Sequence, residues 1–315
     1  MFKTQKEEKY RVIVKDMTDE LNKISDKKVS KIKIYNFGDS EIGEIINYFS
    51  NVLKKNFSNE ELKIFYENLE SLGIPVTTKQ MEKYFKKMKF GGGYSPKTNQ
   101  IYLTDDKKEL IFHELFHVAT NYCGEDKNKH IGLSVDNIGL GINEGYTDFM
   151  VQKYFNSNYK TNYQYYTDIV KIFEQFIGRE KMEHFYMTAN LNGLIDELNQ
   201  YTDIKDILQV IKNADELYKL LYLKKEKNEK KDYFKGKLLF EEIYDKLLDM
   251  LSQKLKKEFS NGIITKEEAM ERYIKFVKEN NLETKKYEGQ MVNCFNELKY
   301  IAFEVDLINM RNKKM

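Results

Sequence analysis

From about residue 162 onward, apolar residues recur at spacings of three and four, the period of helices that bury one face. The stretches YQYYTDIVKIFEQFIG, DIKDILQVI, ADELYKLLYL, YFKGKLLFEEIYDKLLDMLSQKLKKEF, TKEEAMERYIKFVKEN and NCFNELKYIAFEVDLINM all carry it. Neither of the two prolines, Pro75 and Pro96, falls among them. The first 90 residues read differently. YRVIVKD and VSKIKIYNF are short β-branched runs with partial alternation and predict strands, whereas DSEIGEIINYFSNVLKK, SNEELKIFYENLESLG and MEKYFKKMK return to helical spacing. The second of these helices opens on a capping pattern and stops at a glycine.

Between the two regions the pattern changes again, at FGGGYSPKTNQIYLTDD. Gly91 to Gly93 permit close backbone approach, and SPKTNQ supplies turn residues, so a hairpin or two extended pieces joined by a tight loop is expected. TDDKKELIFHELFHVATNY then predicts a helix capped by Thr104 or Asp105 and running to about Asn121. GEDKNKHIGLSVDNIGLG reads as a polar connector and INEGYTDFMVQKYFN as a second helix. The expected fold class is α+β: a small N-terminal α/β region with an edge strand beside the first of these two helices, then a mostly helical C-terminal region. The expected domains are a mixed α/β region over 1–87, a core over 88–200, and a helical region over 201–315 packing on that core.

Composition narrows the function. A chain of 315 residues buries a full core, which allows an enzyme. Lys plus Arg number 52 against 50 Asp plus Glu, and a net charge of +2 creates no field that would gather nucleic acid or an acidic membrane. Basic runs such as KKEKNEKK are interrupted by glutamates and read as solvated surface. Cys123 and Cys294 stand far apart without a CxxC and read as ordinary reduced thiols. No apolar run follows the first lysines, and no segment reaches the roughly eighteen apolar residues of a membrane span. A cytoplasmic protein with no nucleic-acid or membrane partner is therefore expected.

The chain has four histidines, and two of them, His113 and His117, stand one helical turn apart in HELFH. Residues four apart share a helix face, so both imidazoles reach one ion. Glu114 is then placed to act as base toward a water there, while Leu115 and Phe116 turn to the core. Two ligands are incomplete, because a catalytic zinc takes three protein ligands and keeps one position open. An extended HExxHxxGxxH pattern would need glycine at 120 and histidine at 123, where the chain has Thr120 and Cys123. His130 lies in the polar connector, where a solvent-facing histidine is the commoner reading. Glu144 in GINEGYTDFM is the remaining candidate, with 26 residues between it and His117, and Asp148 lies one turn further on the same face. Asp148 would accept the second ring N–H of a ligand histidine. Gly145 is expected to let the second helix approach the first.

HELFH followed by NEGYTD resembles the gluzincin zinc metallopeptidases, which include thermolysin-like enzymes and aminopeptidases, and GGGYSPKTNQIYL resembles the extended strand before HExxH in compact lethal-factor-like peptidase domains. The resemblance covers residues 88 to 156. It implies a zincin-like fold, one catalytic zinc on His113, His117 and Glu144, Glu114 as general base and proton shuttle, and Asp148 behind the first histidine. It also implies that the edge strand, at Gly92, Gly93 and Tyr94, binds substrate backbone. The aminopeptidase motif GAMEN is absent, and GGGYS in its place offers no glutamate for a free amino terminus, so an endopeptidase acting on a protein or peptide is the better match. A hydrogen-bond donor to the developing oxyanion is expected from His184 or Tyr186, with Tyr146 and Tyr94 as further candidates. Two alternatives remain open: a narrow peptidase of small peptides, and a zinc-containing helical interaction protein without turnover.

Overall fold

A computed structural model of the chain describes residues 40–74, 92–103, 110–124, 127–155, 159, 163–220 and 229–279. The strands expected at 10–16 and 29–37 and the helices expected at 81–89 and 293–310 lie outside the described residues. The described chain is mostly helical with two small antiparallel sheets, which agrees with the α+β expectation at its coarsest. Among the described residues no helix is long and apolar enough to cross a membrane. Two units divide the chain: one runs to Thr167 and includes Arg179–Leu191, the other holds Asp168–Gly178 and the residues from Asn192 onward.

The first unit is built around a short helix enclosed on all sides. Helices α1 (Ser40–Asn56) and α2 (Lys63–Leu69) are followed by strands β1 (Gly92–Ser95) and β2 (Gln100–Leu103), then by α3 (Ile111–Thr120). Ile111, Leu115, Phe116, Val118 and Ala119 of α3 are all buried, the distribution of an interior helix rather than a half-exposed one. α1, α2, β1 and β2 pack against it. Phe116 meets Phe49 of α1 edge-on with ring centroids 5.0 Å apart, and Phe49 stacks on Phe155 at 5.0 Å. Burial of one such ring contributes about 1.5–3 kcal/mol, so this cluster anchors one flank of α3 and leaves another for His113 and His117.

The expected hairpin is present: β1 pairs antiparallel with β2, Gly92 opposite Leu103 and Tyr94 opposite Ile101. Its turn closes through Asn99 at φ 50°, a conformation asparagine tolerates. The outer edge of β2 is covered, because Ile101 N–H donates to the Gly73 carbonyl at 2.9 Å and Gly73 N–H to the Asn99 carbonyl at 2.9 Å. β1 is thus the open edge among the described residues. Gly92 is required there, since a Cβ would lie 2.7 Å from the Tyr102 carbonyl oxygen.

α3 stops at Thr120, one residue before the expected end, because Asn121 turns extended at φ −82°, ψ 116°. Asn68 of α2 closes that end, its Nδ2 donating to the carbonyls of Val118 at 2.7 Å and Asn121 at 2.6 Å. Helix ends leave such carbonyls without intrahelical donors. The chain then forms a three-stranded antiparallel sheet, β3 (Asn121–Cys123), β4 (Lys129–Ile131) and β5 (Ser134–Val135), where only a polar connector was expected. Strands of two or three residues are too short for alternation to stand out in a sequence.

After β5 come α4 (Leu140–Tyr154), α5 (Gln164–Ile177), α6 (Arg179–Met187) and α7 (Leu191–Leu198). The expectation for Gly145 is corrected here. A Cβ on Gly145 would lie 2.3 Å from the Tyr166 carbonyl carbon and 2.5 Å from its oxygen, so the missing side chain admits the first turn of α5 rather than α3. Thr167 Oγ1 donates to the Gly145 carbonyl at 3.2 Å and holds that approach. Gly145→Ala is expected to destabilise the protein by about 1–3 kcal/mol through overpacking, despite the roughly 1 kcal/mol that alanine adds in helix propensity. The urea midpoint measures this; an unchanged or raised midpoint would mean that α5 yields without cost.

In the second unit, α8 (Ile204–Tyr218) packs along α9 (Glu229–Ser260), and α9 against α10 (Lys266–Glu279). DIKDILQVI and the start of ADELYKLLYL form one helix, with Asn213 between them buried and its Nδ2 donating to Glu242 at 3.0 Å. Ile207, Val210, Ile211, Ala214 and Leu217 make the apolar stripe, and Ile243, Leu247 and Met250 are buried on α9. α10 begins with reciprocal capping, in which Thr265 N–H donates to Glu268 at 2.7 Å and Glu268 N–H to Thr265 Oγ1 at 3.2 Å.

Candidate metal centre

His113 and His117 project from one face of α3, and Glu144 comes to meet them from α4. Three atoms converge: His113 Nε2 lies 3.0 Å from His117 Nε2 and 3.1 Å from Glu144 Oε2, and the third side, His117 Nε2 to Glu144 Oε2, is 3.6 Å. The three residues are placed to hold a metal ion together. The triangle fits one: tetrahedral ligands at about 2.0–2.1 Å from a common ion stand about 3.3 Å from each other. Without an ion, burial works against a charged His113, but Asp148 and Glu144 outweigh it and hold its pKa well above the ordinary value. Burial likewise opposes the charge on Glu144, and the two imidazoles overcome it, so its carboxyl stays far below the usual range. A cation entering here takes the place of a proton.

Asp148, one turn after Glu144 and fully buried, accepts from His113 Nδ1–H at 2.6 Å. That bond selects the tautomer whose Nε2 lone pair points to the centre of the triangle. His117 Nδ1 is buried without a hydrogen-bond partner among the described residues, so only the first histidine is held in this way. Asp148→Asn is expected to weaken metal binding about 10–100-fold, measured by competition with a chromophoric chelator. Unchanged affinity would show that the ring is oriented by packing alone.

Glu114 is buried on the same turn. Burial raises its pKa; the histidines and an N–H bond from Tyr94 pull it down, Glu144 pushes it up, and the net direction is upward. The Tyr94 bond locates the open strand edge. Opposed residues in an antiparallel pair alternately face each other and face away. Tyr94 N–H reaches Glu114 and Ile101 N–H reaches Gly73, so this pair faces away and the outward groups of β1 belong to Tyr94 and Gly92. Gly93 turns its backbone groups to Tyr102 instead, and of the three residues expected to bind substrate backbone it alone does not present them to the edge.

Of the four expected oxyanion donors, two are fully buried and two are engaged by other side chains. Tyr186 of α6 is fully buried, its hydroxyl 2.8 Å from Thr147 Oγ1 and its ring packed on Tyr146 and Phe116. Tyr146 is fully buried as well. Tyr94 donates its hydroxyl to Asn99 Oδ1 at 2.8 Å and accepts from Asn121 Nδ2 at 2.8 Å. His184 is 47% exposed and pairs with Glu61 at 3.2 Å. His130 sits on β4, its Nδ1 3.3 Å from the Ala189 carbonyl oxygen, outside the ligand triangle.

Several contacts that organise the site escaped the sequence reading. Asn68, Asn99, Tyr94 and Asn121 form a hydrogen-bonded chain that ties the hairpin turn and α2 to the end of α3, with Asn99 Nδ2 donating to the Asn68 carbonyl at 2.7 Å. Asn143, beside Glu144, accepts from Leu133 N–H at 3.0 Å and fastens the turn before β5 to α4. Tyr163, just before α5, lays its ring over His113 with centroids 5.8 Å apart and planes 30° from parallel. Nothing in the spacing of these residues marks them. No protein-family model, curated protein or solved structure matches the chain.

Proposed function

We propose that this chain is a zinc-dependent endopeptidase of the gluzincin type, with a zincin-like arrangement of α3, α4 and the β1 edge. The observation that carries the reading is the convergence of His113 Nε2, His117 Nε2 and Glu144 Oε2 within 3.6 Å of one another, beside a buried carboxylate that no ligand role uses. Two imidazoles and one carboxylate in a tetrahedral set are the ligands of a catalytic zinc with one position left for water or substrate. Zinc bound there supplies Lewis acidity, polarising the scissile carbonyl and making water easier to deprotonate.

The chain's own residues perform the rest. Glu114 takes one proton from the attacking water as its oxygen bonds to the carbonyl carbon, and the carbonyl π pair moves onto oxygen. When that pair returns, the C–N bond breaks, and Glu114 passes its proton to the departing nitrogen, leaving a carboxylic acid and an amine, between which the remaining proton of the water then passes to give carboxylate and ammonium. Gly92 and the Tyr94 carbonyl offer outward backbone groups on which an extended peptide adds as a further strand, the Tyr94 N–H being engaged by Glu114; this mode reads main chain and tolerates many side chains. β1, with the sequence GGYS, carries no acidic side chain to hold a free amino terminus, which favours internal cleavage.

Protein purified without added metal is expected to carry about one zinc per chain and to cut an unfolded protein or a peptide library at internal bonds. A chelator abolishes the cleavage and zinc restores it. Zinc-replete protein that leaves every internal bond intact would overturn the reading, and release of single N-terminal residues alone would replace it with an exopeptidase of small peptides.

A further inference from the structure

We propose that Tyr186 is a positioning residue of the metal centre: its hydroxyl, lodged where α3 and α4 meet, fixes the two ligand helices in the register that brings Glu144 to His113 and His117. This role rests on the ligand set named above and is independent of peptide cleavage. Each ligand helix offers the tyrosine one threonine, three residues past a ligand: Thr120 follows His117 on α3, and Thr147 follows Glu144 on α4. Residues three apart are neighbours on a helix surface, so a group that grips both threonines also fixes how the two ligand faces stand to each other.

Tyr186 grips both. Its hydroxyl lies 2.8 Å from Thr147 Oγ1 and hydrogen-bonds the Thr120 side chain as well. Thr147 Oγ1 donates to the Asn143 carbonyl at 2.8 Å, which leaves the tyrosine as donor in its contact with Thr147. Thr120 Oγ1 donates to the Phe116 carbonyl at 3.0 Å, so each threonine is anchored to its own helix. The phenol has no room to swing away. Its ring packs on Phe116 of α3 and Tyr146 of α4 with centroids 6.1 and 5.0 Å apart, and a Cβ on Gly132 would stand 2.6 Å from ring atom Cε2. Apolar contacts are non-directional, whereas a hydrogen bond weakens steeply off its angle, and a metal site needs ligand distances held within about 0.2 Å. The directional contact is therefore the one that can hold the ligands to that tolerance.

Tyr186→Phe keeps the ring and removes the donor, and Thr147→Val keeps the shape and removes its acceptor. Each is expected to weaken zinc about tenfold in chelator competition run well below the unfolding temperature, and to alter the visible absorption of the cobalt(II)-loaded protein, which reports ligand geometry. A residue that only stabilised the fold would lower the melting temperature and leave both readings in place. The double variant is expected to lose no more zinc affinity than either single one, because both cut one bond. Zinc affinity within threefold of wild type in Tyr186→Phe overturns the proposal, as does a double variant in which the two losses multiply. Should Tyr186→Phe fail to fold, Thr147→Val carries the same test; if neither variant shows a thermal transition, the hydroxyl serves folding rather than ligand placement and the proposal falls. Wild-type protein that binds zinc but cleaves nothing removes the peptidase reading and leaves the role of Tyr186, whereas wild-type protein that binds neither metal removes both.

Discussion

Glu114→Gln is expected to keep its zinc and lose hydrolysis, with kcat falling about 10²–10⁴-fold, the range that a positioned acid–base group supplies. Glutamine has nearly the same shape, and its carbonyl oxygen still accepts from the Tyr94 N–H that orients residue 114. It cannot take a proton from water or return one to the leaving nitrogen. The three ligand atoms come from other side chains, so the ligand set is untouched. Elemental analysis and steady-state kinetics on one internally cleaved peptide make the measurement. Activity within threefold of wild type would remove Glu114 from the proton-transfer role.

Glu144→Ala is expected to abolish stoichiometric zinc, weakening binding by more than the roughly 10–100-fold that loss of an outer-shell partner costs. The substitution removes the carboxylate of the candidate triad and leaves two imidazoles on one turn, one of them already held protonated by Asp148 when no ion is present. A ligand that binds only the folded state at 100 times its dissociation constant stabilises it by about 2.7 kcal/mol. Wild-type protein is therefore expected to melt higher with added zinc, and the variant is expected to show no such rise. A full zinc-dependent rise in Glu144→Ala would place the third ligand elsewhere.

The group of residues that could hold a metal ion was legible because its pairs lie in short-range spacing. His113 and His117 stand four apart in a run with an unmistakable helical period, and the helix puts them on one face whatever surrounds it. The same holds for Glu144 and Asp148, and for the hairpin whose turn residues separate GGGY from IYL. Where the reading went astray, the deciding contacts were distant in sequence. Gly145 faces Tyr166 rather than α3, 21 positions on, and no periodicity reports which neighbour a small residue admits. Tyr186 looked available from its place beside His184, yet packing of α6 on α3 and α4 buries it completely.

By itself the sequence determined the candidate ligand types, the carboxylate beside them and the helices that carry each pair, since helical geometry converts a spacing of four into a shared face without help from the rest of the chain. Only the tertiary structure decided that the two helices meet so that three ligand atoms form one triangle, that Tyr94 aims its N–H at Glu114, and that Tyr163 covers His113. Those outcomes depend on close packing between segments tens of residues apart, where the shape of each neighbour sets the position of the next.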